Sequence, residues 1–358
     1  MVSQLDLSGN KLCGLDSCGR GIYSAEGITA IANALRVNGG LTSIDLSNNQ
    51  LCGVWTDYRG QHGTYTAEGI TAIADAMRVN GGLTRVDVRH NNIVGGGAAQ
   101  LAAAVLGNLK IEMFNKIPIK EMRADSLSEL DLSGKGVGVP GALVLAHLLP
   151  VTGALTVANL LRNELNAESA NMLVQVAKQK GISLCGIQRD QTTADFRGKG
   201  LKPPDAILLA SDLSQAIVTG GLTRVDVRLK NIAGDGAAQL AAAVLGNHKI
   251  EMFNEIPIKE MRANSITELD LKRKYVGVEG GMVVAGLILV MGGLTALDLS
   301  NNYLKDEGVS AVCEAIQSNK KTKLSSLNFK DNGIGPVGAK SVEAMVAVTG
   351  SLTLVRAP

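Results

Sequence analysis

The sequence has few aromatic residues and little net charge. Of 358 residues, one is Trp, five are Tyr and four are Phe. An enzyme of this size ordinarily uses more aromatic side chains in its core, so we expect thin stacked layers of Leu, Ile, Val and Ala. Lys and Arg total 35, Asp and Glu total 33, and the formal net charge is +2. This balance gives no global electrostatic argument for a nucleic-acid or anionic-membrane partner.

The chain also lacks a hydrophobic run long enough to cross a bilayer. Its most apolar window, residues 280–294, is shorter than the roughly 20 residues that a spanning helix needs, so we expect a buried helix there. The first residues show no basic segment followed by an apolar one, as a signal peptide would. The cysteines have no disulfide-framework spacing, which favours a reducing compartment. We therefore expect an intracellular, cytoplasmic protein without membrane insertion.

Catalytic motifs are missing as well. The chain has four His, and no phosphate-binding loop, dinucleotide fingerprint, nucleophile elbow or HExxH zinc motif. We predict no catalytic residue, no cofactor, no resident metal and no enzymatic activity.

What is present is one recurring sequence motif, LxxLxLxxNxL, and each copy is followed by apolar residues at helical spacing. Copies begin about every 28 residues where the spacing is regular. They occupy residues 41–51, 83–93, 127–137, 155–165, 222–232, 266–276, 294–304 and 324–334, with a partial copy at 2–12 and a degenerate one at 191–201.

This motif is the leucine-rich-repeat signature. The chain resembles the ribonuclease-inhibitor-like subfamily, which includes Ran GTPase-activating proteins and the repeat regions of NOD-like receptors, and it resembles repeat proteins of single-celled eukaryotes. The resemblance implies an α/β fold. Residues 1–358 would form a single right-handed solenoid (horseshoe), with a curved parallel β-sheet on the concave face and α-helices on the convex face.

The chain also contains a duplicated segment that is longer than one repeat. Residues 81–141 match residues 220–280 at 48 of 61 positions, so the two segments descend from one unit. Each copy carries an insertion, residues 110–125 and 249–264, in which we expect an extra strand followed by an extended or single-turn return. Residues 181–193 fit no coil of the template.

The strand positions that face the concave side carry many charges. The middle column is acidic: Asp6, Asp45, Asp87, Asp131, Asn159, Asp195, Asp226, Asp270, Asp298 and Asn328. Neighbouring strands lie about 4.8 Å apart, so these carboxylates should repel and raise their own pKa values. Arginines flank the column: Arg85, Arg89, Arg224 and Arg228. The face is either a partner-binding groove, through these arginines with Asp87 and Asp226, or a self-neutralised polar surface.

The Asn position of the template closes the turn after each strand. Lys occupies it in four copies, at Lys135, Lys199, Lys230 and Lys274. A Lys side chain cannot accept a hydrogen bond, so another group must cap those turns, or the turns must be looser.

Two loops in the N-terminal repeats, residues 13–24 and 52–66, are longer than the template. They hold four of the ten aromatic residues together with arginines: Tyr23, Trp55, Tyr58, Tyr65, Arg20 and Arg59. Such side chains either anchor a protein partner or pack within their own loop. Cys13, Cys18, Cys52 and His62 have only a weak resemblance to a zinc-site spacing, and we favour ordinary thiols.

We therefore predict a module for protein–protein interaction: an adaptor, a sensor or a structural subunit of a larger assembly. The alternative is a GTPase-activating protein of the Ran type, for which Arg20 and Arg59 are the loop candidates. The chain begins and stops inside a strand copy, so we expect either that another chain covers one or both ends or that the native protein is longer than this sequence.

Overall fold

The computed structural model describes residues 2–57, 59–229 and 232–357. Short strands alternate with helices. The strands are β1 Gln4–Asp6, β2 Ser43–Asp45, β3 Val54–Asp57, β4 Gly60–Gly63, β5 Arg85–Asp87, β6 Met113–Phe114, β7 Ile117–Pro118, β8 Glu129–Asp131, β9 Val157–Asn159, β10 Thr193–Asp195, β11 Arg224–Asp226, β12 Met252–Phe253, β13 Ile256–Pro257, β14 Glu268–Asp270, β15 Ala296–Asp298, β16 Ser326–Asn328 and β17 Leu354–Arg356.

The helices lie mostly between consecutive repeat strands. They are α1 Glu26–Val37, α2 Glu68–Val79, α3 Gly95–Gly107, α4 Ile119–Arg123, α5 Gly138–Leu148, α6 Ala167–Lys180, α7 Pro203–Leu213, α8 Gly234–Gly246, α9 Ile258–Arg262, α10 Gly277–Ile288, α11 Lys305–Ser318 and α12 Pro336–Val348. The chain divides into two compact units, Met1–Lys180 (unit 1) and Gly181–Pro358 (unit 2).

The repeat strands pair in parallel within each unit. Unit 1 holds the sheet β1-β2-β5-β6-β7, the pair β8-β9 and the hairpin β3-β4, and unit 2 holds the sheets β10-β11-β12-β13 and β14-β15-β16-β17. The register places equal template positions side by side, as where Asp45 faces Asp87 and Asp195 faces Asp226. The α/β class with parallel strands is thus as the repeats predict.

The Leu positions of the template form the core. In one copy Leu41, Ile44 and Leu46 are all nearly inaccessible to solvent, and so are the helix residues that face them, such as Ile28. The apolar window that starts at residue 280 lies mainly in α10, which is buried on almost every side, so the expected buried helix is confirmed. No helix in the described parts of the chain is both long and apolar enough to span a membrane.

The two insertions contain the expected extra strands, β6 and β12. Each strand turns back through two residues with positive φ, Asn115 and Lys116 in unit 1, and pairs antiparallel with the next strand. A one-turn helix follows. Its last residue in unit 1, Arg123, donates to the carbonyls of Val105 and Leu106 and so caps the C-terminus of α3 with a positive charge, which the helix dipole favours.

Buried asparagines join several of the repeats to the one before them. Asn91 donates to the carbonyls of Leu46 and Val88 and accepts from the amides of Asn49, at 2.8 Å, and Leu51. One side chain thus satisfies backbone groups of two successive turns, which would otherwise be buried without partners.

The same arrangement explains two of the Lys-bearing turns. Asn302 donates to the Leu271 carbonyl at 2.8 Å and accepts from the Lys274 amide at 3.0 Å, and Asn163 donates to the carbonyl of Leu132. The expectation that another group caps these turns is confirmed for Lys135 and Lys274, because the next repeat supplies the asparagine. Lys230 lies outside the described residues.

A second set of asparagines, not anticipated from the template, occupies helix ends. Asn80 follows α2 and donates to the carbonyls of Leu35 and Asn38 at the end of the preceding helix. Asn108 and Asn319 repeat this contact. The last carbonyls of an α-helix have no partner within the helix, so this set satisfies them from the neighbouring repeat.

Residues 181–193 are organised by a buried carboxylate. Asp212, on α7, accepts from the Ser183 hydroxyl at 2.8 Å and from the amides of Leu184 and Cys185 at 2.8 and 3.0 Å. Burial raises the pKa of Asp212 to about 6 although these hydrogen bonds act in the opposite direction. Hydrogen bonds to a single Asp side chain therefore hold this segment, which fits no coil of the template.

We predict that Asn91→Ala destabilises the protein by about 3 kcal/mol or more, because it leaves several buried backbone groups without partners. Asn10, exposed and bonded only within its own turn, is the matched control, and Asn10→Ala should cost about 1 kcal/mol or less. Urea denaturation followed by circular dichroism measures both. Equal costs for the two variants would contradict the structural role of the buried set.

Candidate functional site

The acidic column of the strand face closes the turns of the repeats. In all ten copies the Asp or Asn side chain accepts a hydrogen bond from the amide two residues later, at 2.8–3.4 Å. This is the Asx-turn geometry, in which a short side chain bonds its own backbone. The recurrence of Asp and Asn in this column is therefore accounted for by turn formation alone.

The predicted rise in pKa is wrong for Asp6, Asp87, Asp195 and Asp298, because the pKa of each of these carboxyls is lowered. The Arg197 guanidinium lowers the pKa of Asp195 to about 2. The Ser8 hydroxyl and amide lower the pKa of Asp6. Burial acts to raise the pKa of Asp87, yet hydrogen bonds from Arg89 bring it below the ordinary value. Donors supplied within the same turn outweigh the neighbouring carboxylates.

Of the six strand-face residues predicted to contact a partner, four form hydrogen bonds within the protein: Asp87, Arg89, Asp226 and Arg228. Arg89 donates to both carboxylate oxygens of Asp87 and to the Lys135 carbonyl. Arg228 binds Asp226 in the same way and also Glu255, at 3.0 Å. Each arginine is mostly buried and reaches across the inserted hairpin to a later turn, as Arg228 does to the Lys274 carbonyl.

The other two, Arg85 and Arg224, are exposed. Arg85 lies beside Met113 in the sheet register, and Arg224 beside Met252. The Arg224 guanidinium is 2.8 Å from the Met252 sulfur. An exposed cation next to a partly exposed methionine thus occurs at the same place in both units.

The loop at residues 52–66 forms the hairpin β3-β4. Trp55 faces His62 across the hairpin, with ring centroids 5.8 Å apart and nearly parallel planes. The Trp55 ring lies against the backbone at Gly19, where an added Cβ would come within 2.0 Å of it. Trp55 is half-buried and Arg59 is exposed, whereas Tyr58 lies outside the described residues. The hairpin therefore packs on the preceding loop and still leaves part of its indole accessible.

Tyr23 and Tyr65 instead fasten the loops to the following repeat. The Tyr23 hydroxyl donates to the Leu51 carbonyl at 3.1 Å, and the Tyr65 hydroxyl to the Val94 carbonyl at 2.6 Å. Burial raises the pKa of Tyr65 to about 12. Both rings are half-buried, so their main contacts are internal.

The thiols in these loops lie in an apolar setting. Cys13 and Cys52 are fully buried, and burial raises their pKa values to about 11 and about 12. No three His, Cys, Asp or Glu side chains of the described residues come together as metal ligands would. Arg20 pairs with Asp16 of its own loop at 3.0 Å.

The sequence reasoning missed a pair of clefts at the edge where the repeat strands end. The clefts lie at equivalent places in the two units, 139 residues apart in sequence. In unit 1 the cleft has a volume of 240 Å³. His90 covers Gly136 and pairs with Glu164 at 2.9 Å, which closes the cleft with polar side chains.

In unit 2 the corresponding residues are Leu229, Tyr275 and Tyr303, and the cleft measures 440 Å³. The two tyrosine rings are nearly parallel, at 17°, with centroids 5.9 Å apart. All three side chains are exposed, Tyr303 by 62%. The backbone of this edge is therefore alike in both units, whereas the polar lining of unit 1 is replaced in unit 2 by an aromatic and aliphatic one.

A signal for this site is present in the sequence. Tyr275 and Tyr303 occupy the same template position in neighbouring copies and account for two of the five tyrosines. Both have positive φ, +56° and +58°, as does the equivalent Gly136. The same template position has a positive φ in other copies, as at Gln50, Asn92 and Glu164, so the conformation belongs to the repeat turn and the tyrosines are what distinguishes this site.

A buried carboxyl lies beneath the unit 2 cleft. Glu279 is 1% exposed, and its Oε1 accepts from Asn254 at 3.2 Å. Its Oε2 has no partner among the described residues. Burial raises the pKa of Glu279 to about 8. Gly277 lines the cleft. A Cβ added there would lie 2.7 Å from the carboxyl oxygens of Glu279, so a side chain does not fit.

Comparison with models of known protein families supports the repeat assignment. Residues 294–313 and 320–342 match the family model described as Leucine Rich repeat. The leucine-rich repeat-containing protein LegL7 from Legionella pneumophila is 15% identical, with 99% of this chain and 90% of that chain covered and a TM-score of 0.24. An internalin from Listeria monocytogenes is 14% identical, with 99% and 86% covered and a TM-score of 0.23.

Comparison with curated protein sequences finds no match. At these identities and TM-scores, the two solved structures carry no inference about what this chain binds. Leucine-rich repeats are thus present, while the resemblance to the ribonuclease-inhibitor-like subfamily, to Ran GTPase-activating proteins and to NOD-like receptors stays a prediction.

We predict that Glu279→Gln flattens the pH dependence of stability. The pKa of Glu279 in the folded protein lies above the ordinary value of about 4.3, because the folded state favours the protonated carboxyl. The contribution of Glu279 to the free energy of unfolding is therefore complete below about pH 4.3 and is lost as the pH rises through about 8. Between about pH 5 and pH 9, wild type should lose about 2 kcal/mol or more relative to the variant. Urea titrations of both proteins at the two pH values test this. An equal change in the free energy of unfolding for wild type and variant would contradict it.

Proposed function

We propose that the protein is a non-enzymatic protein-binding module whose repeats build one solenoid. Leucine-rich-repeat solenoids present extended surfaces on which partners bind. The described surface offers exposed arginines, methionines and a tryptophan, and we propose a protein as the partner.

The observation that carries this proposal is the position of Trp55. It is the single Trp of the chain, and it lies half-buried on a hairpin that belongs to no repeat core. Trp, Tyr and Arg dominate the energetics of protein interfaces, because a large rigid side chain buries much area at little entropic cost. We place the partner on this hairpin and on the neighbouring strand face that carries Arg85.

The internal hydrogen bonds of the strand face limit which of its residues can contact a partner. Arg89 and Arg228 are held by Asp87 and Asp226, so a partner would have to break buried ion pairs to engage them. Among the described residues, neither Arg85 nor Arg224 has a carboxylate partner within 4 Å, and we propose that each contributes polar contacts within its own unit. The GTPase-activating alternative gains no support here, since Arg20 is bound to Asp16.

We predict that Trp55→Ala abolishes partner capture while the fold is retained. The ring contacts loop backbone and His62, so its loss should lower the melting temperature by only a few degrees, as expected for about 1 kcal/mol. Wild-type and variant chains are immobilised, exposed to the same native extract, and compared by quantitative mass spectrometry.

Val37→Ala is the matched control, because Val37 is an apolar residue of the same unit that is 87% exposed. A protein retained by wild type and by Val37→Ala, yet lost with Trp55→Ala, supports the proposal. Equal retention by all three chains, or a large loss of stability without loss of binding, contradicts it.

A further inference from the structure

We propose that the cleft of unit 2, formed by Leu201, Leu229, Tyr275 and Tyr303, binds an acidic, proline-containing segment of a partner protein in an extended conformation. This deepens the proposed function, because it names the chemistry of a partner. It concerns a different unit from the Trp55 hairpin, so the two proposals can fail separately.

The shape of the cleft favours an extended segment over a deeply inserted ring. Its walls are the loops that follow β10, β11, β14 and β15. Leu229 and Tyr275 are 53% and 45% exposed, so the walls are low. Its volume of 440 Å³ lies in the range of binding pockets. A row of aromatic rings flanked by aliphatic side chains is the surface on which polyproline II segments dock.

The polar groups of the cleft also fit such a segment. Neither the Tyr275 nor the Tyr303 hydroxyl has a hydrogen-bond partner among the described residues, so both are available donors. The polyproline II conformation has no internal hydrogen bonds and leaves its carbonyls free as acceptors. Proline adds no N–H that would need a partner. Two tyrosine hydroxyls beside an apolar groove therefore match a proline-containing backbone.

The charge around the cleft selects an acidic segment. Lys199, Lys202 and Lys274 are each adjacent in sequence to a residue that lines the cleft, and Arg273 and Lys305 are two positions away. All five are exposed, and among the described residues only Lys274 has an ion-pair partner within 4 Å, Glu255.

The carboxylates at this edge are fewer. Glu255 binds Arg228, and Glu307 accepts from the Gly234 amide at 2.8 Å. Asp235 is exposed at the start of α8. The rim is therefore net basic and would attract acidic side chains of a partner.

Unit 1 provides an internal comparison. At the equivalent places it carries His90, Gly136 and Glu164, and the His90–Glu164 pair closes the cleft. It also has Gly134 where unit 2 has Arg273, and Asn166 where unit 2 has Lys305. The aromatic lining and the rim cations Arg273 and Lys305 thus belong to unit 2 alone, whereas Lys274 has its counterpart in Lys135.

The experiment uses the intact chain and a displayed library of random peptides. Selection should enrich peptides that contain Pro together with Asp or Glu, and calorimetry on the enriched peptides should show weaker binding as sodium chloride is raised. Tyr275→Gly and Tyr303→Ala should each weaken binding about tenfold or more. Tyr303→Phe, which keeps the ring and removes the hydroxyl, should give an intermediate loss.

Two controls keep the result interpretable. Glu164→Ala alters the equivalent position of unit 1 and should leave peptide binding unchanged. Tyr275→Gly installs the residue that unit 1 has at a positive φ, so this variant should melt no earlier than wild type. A loss of binding in it therefore cannot come from unfolding.

Several outcomes would overturn the inference. These are enrichment of basic or proline-free peptides, no enrichment at all, binding that the tyrosine variants leave unchanged, and tighter binding of a single-stranded oligonucleotide than of any acidic peptide. Loss of peptide binding in the tyrosine variants, with Trp55-dependent capture intact, would support a second and independent partner site.

Discussion

The structure depends on the satisfaction of backbone groups in the turns that follow the repeat strands. Each turn needs donors and acceptors that its own residues cannot all supply. Asp195 and its equivalents bond the amide two positions on, and buried asparagines such as Asn91 and Asn302 bond two successive turns at once. Because one asparagine serves its own repeat and its neighbour, no repeat is complete by itself. This coupling is what makes an array of short strands and helices stable.

The same constraint decides which charges are available for recognition. An acidic column on a strand face suggests a binding groove, yet these carboxylates are already committed to the turns, and Arg89 and Arg228 are committed to the carboxylates. In our proposals, recognition therefore falls to residues outside this network: the exposed Arg85 and Arg224, the accessible part of Trp55, and the tyrosines of unit 2. A charged surface side chain that is already paired within the protein contributes little to binding a partner, because its existing hydrogen bonds must first be broken.

The equivalent clefts of the two units show how far the lining of one backbone arrangement can change. The edge cleft keeps its backbone in both units, including the positive φ values, but His90, Gly136 and Glu164 give way to Leu229, Tyr275 and Tyr303. Pro140 likewise gives way to Glu279, a carboxyl buried with one oxygen unpaired. At its cleft, unit 2 therefore has Tyr275 at a positive φ where unit 1 has Gly136, and a buried acid where unit 1 has Pro140.

The sequence alone determined the repeat period, the parallel strands, the helices between them and the extra strands of the two insertions, since each of these depends on local apolar spacing. It did not predict the helix-end asparagines, such as Asn80, or the role of Asp212. Both bond backbone groups that are distant in sequence. It also misjudged the acidic column, because the donors that lower those pKa values become apparent only when the turn geometry is known. The pairing of Tyr275 with Tyr303 was decided by tertiary structure, since only the stacking of neighbouring repeats brings side chains 28 residues apart to within 6 Å.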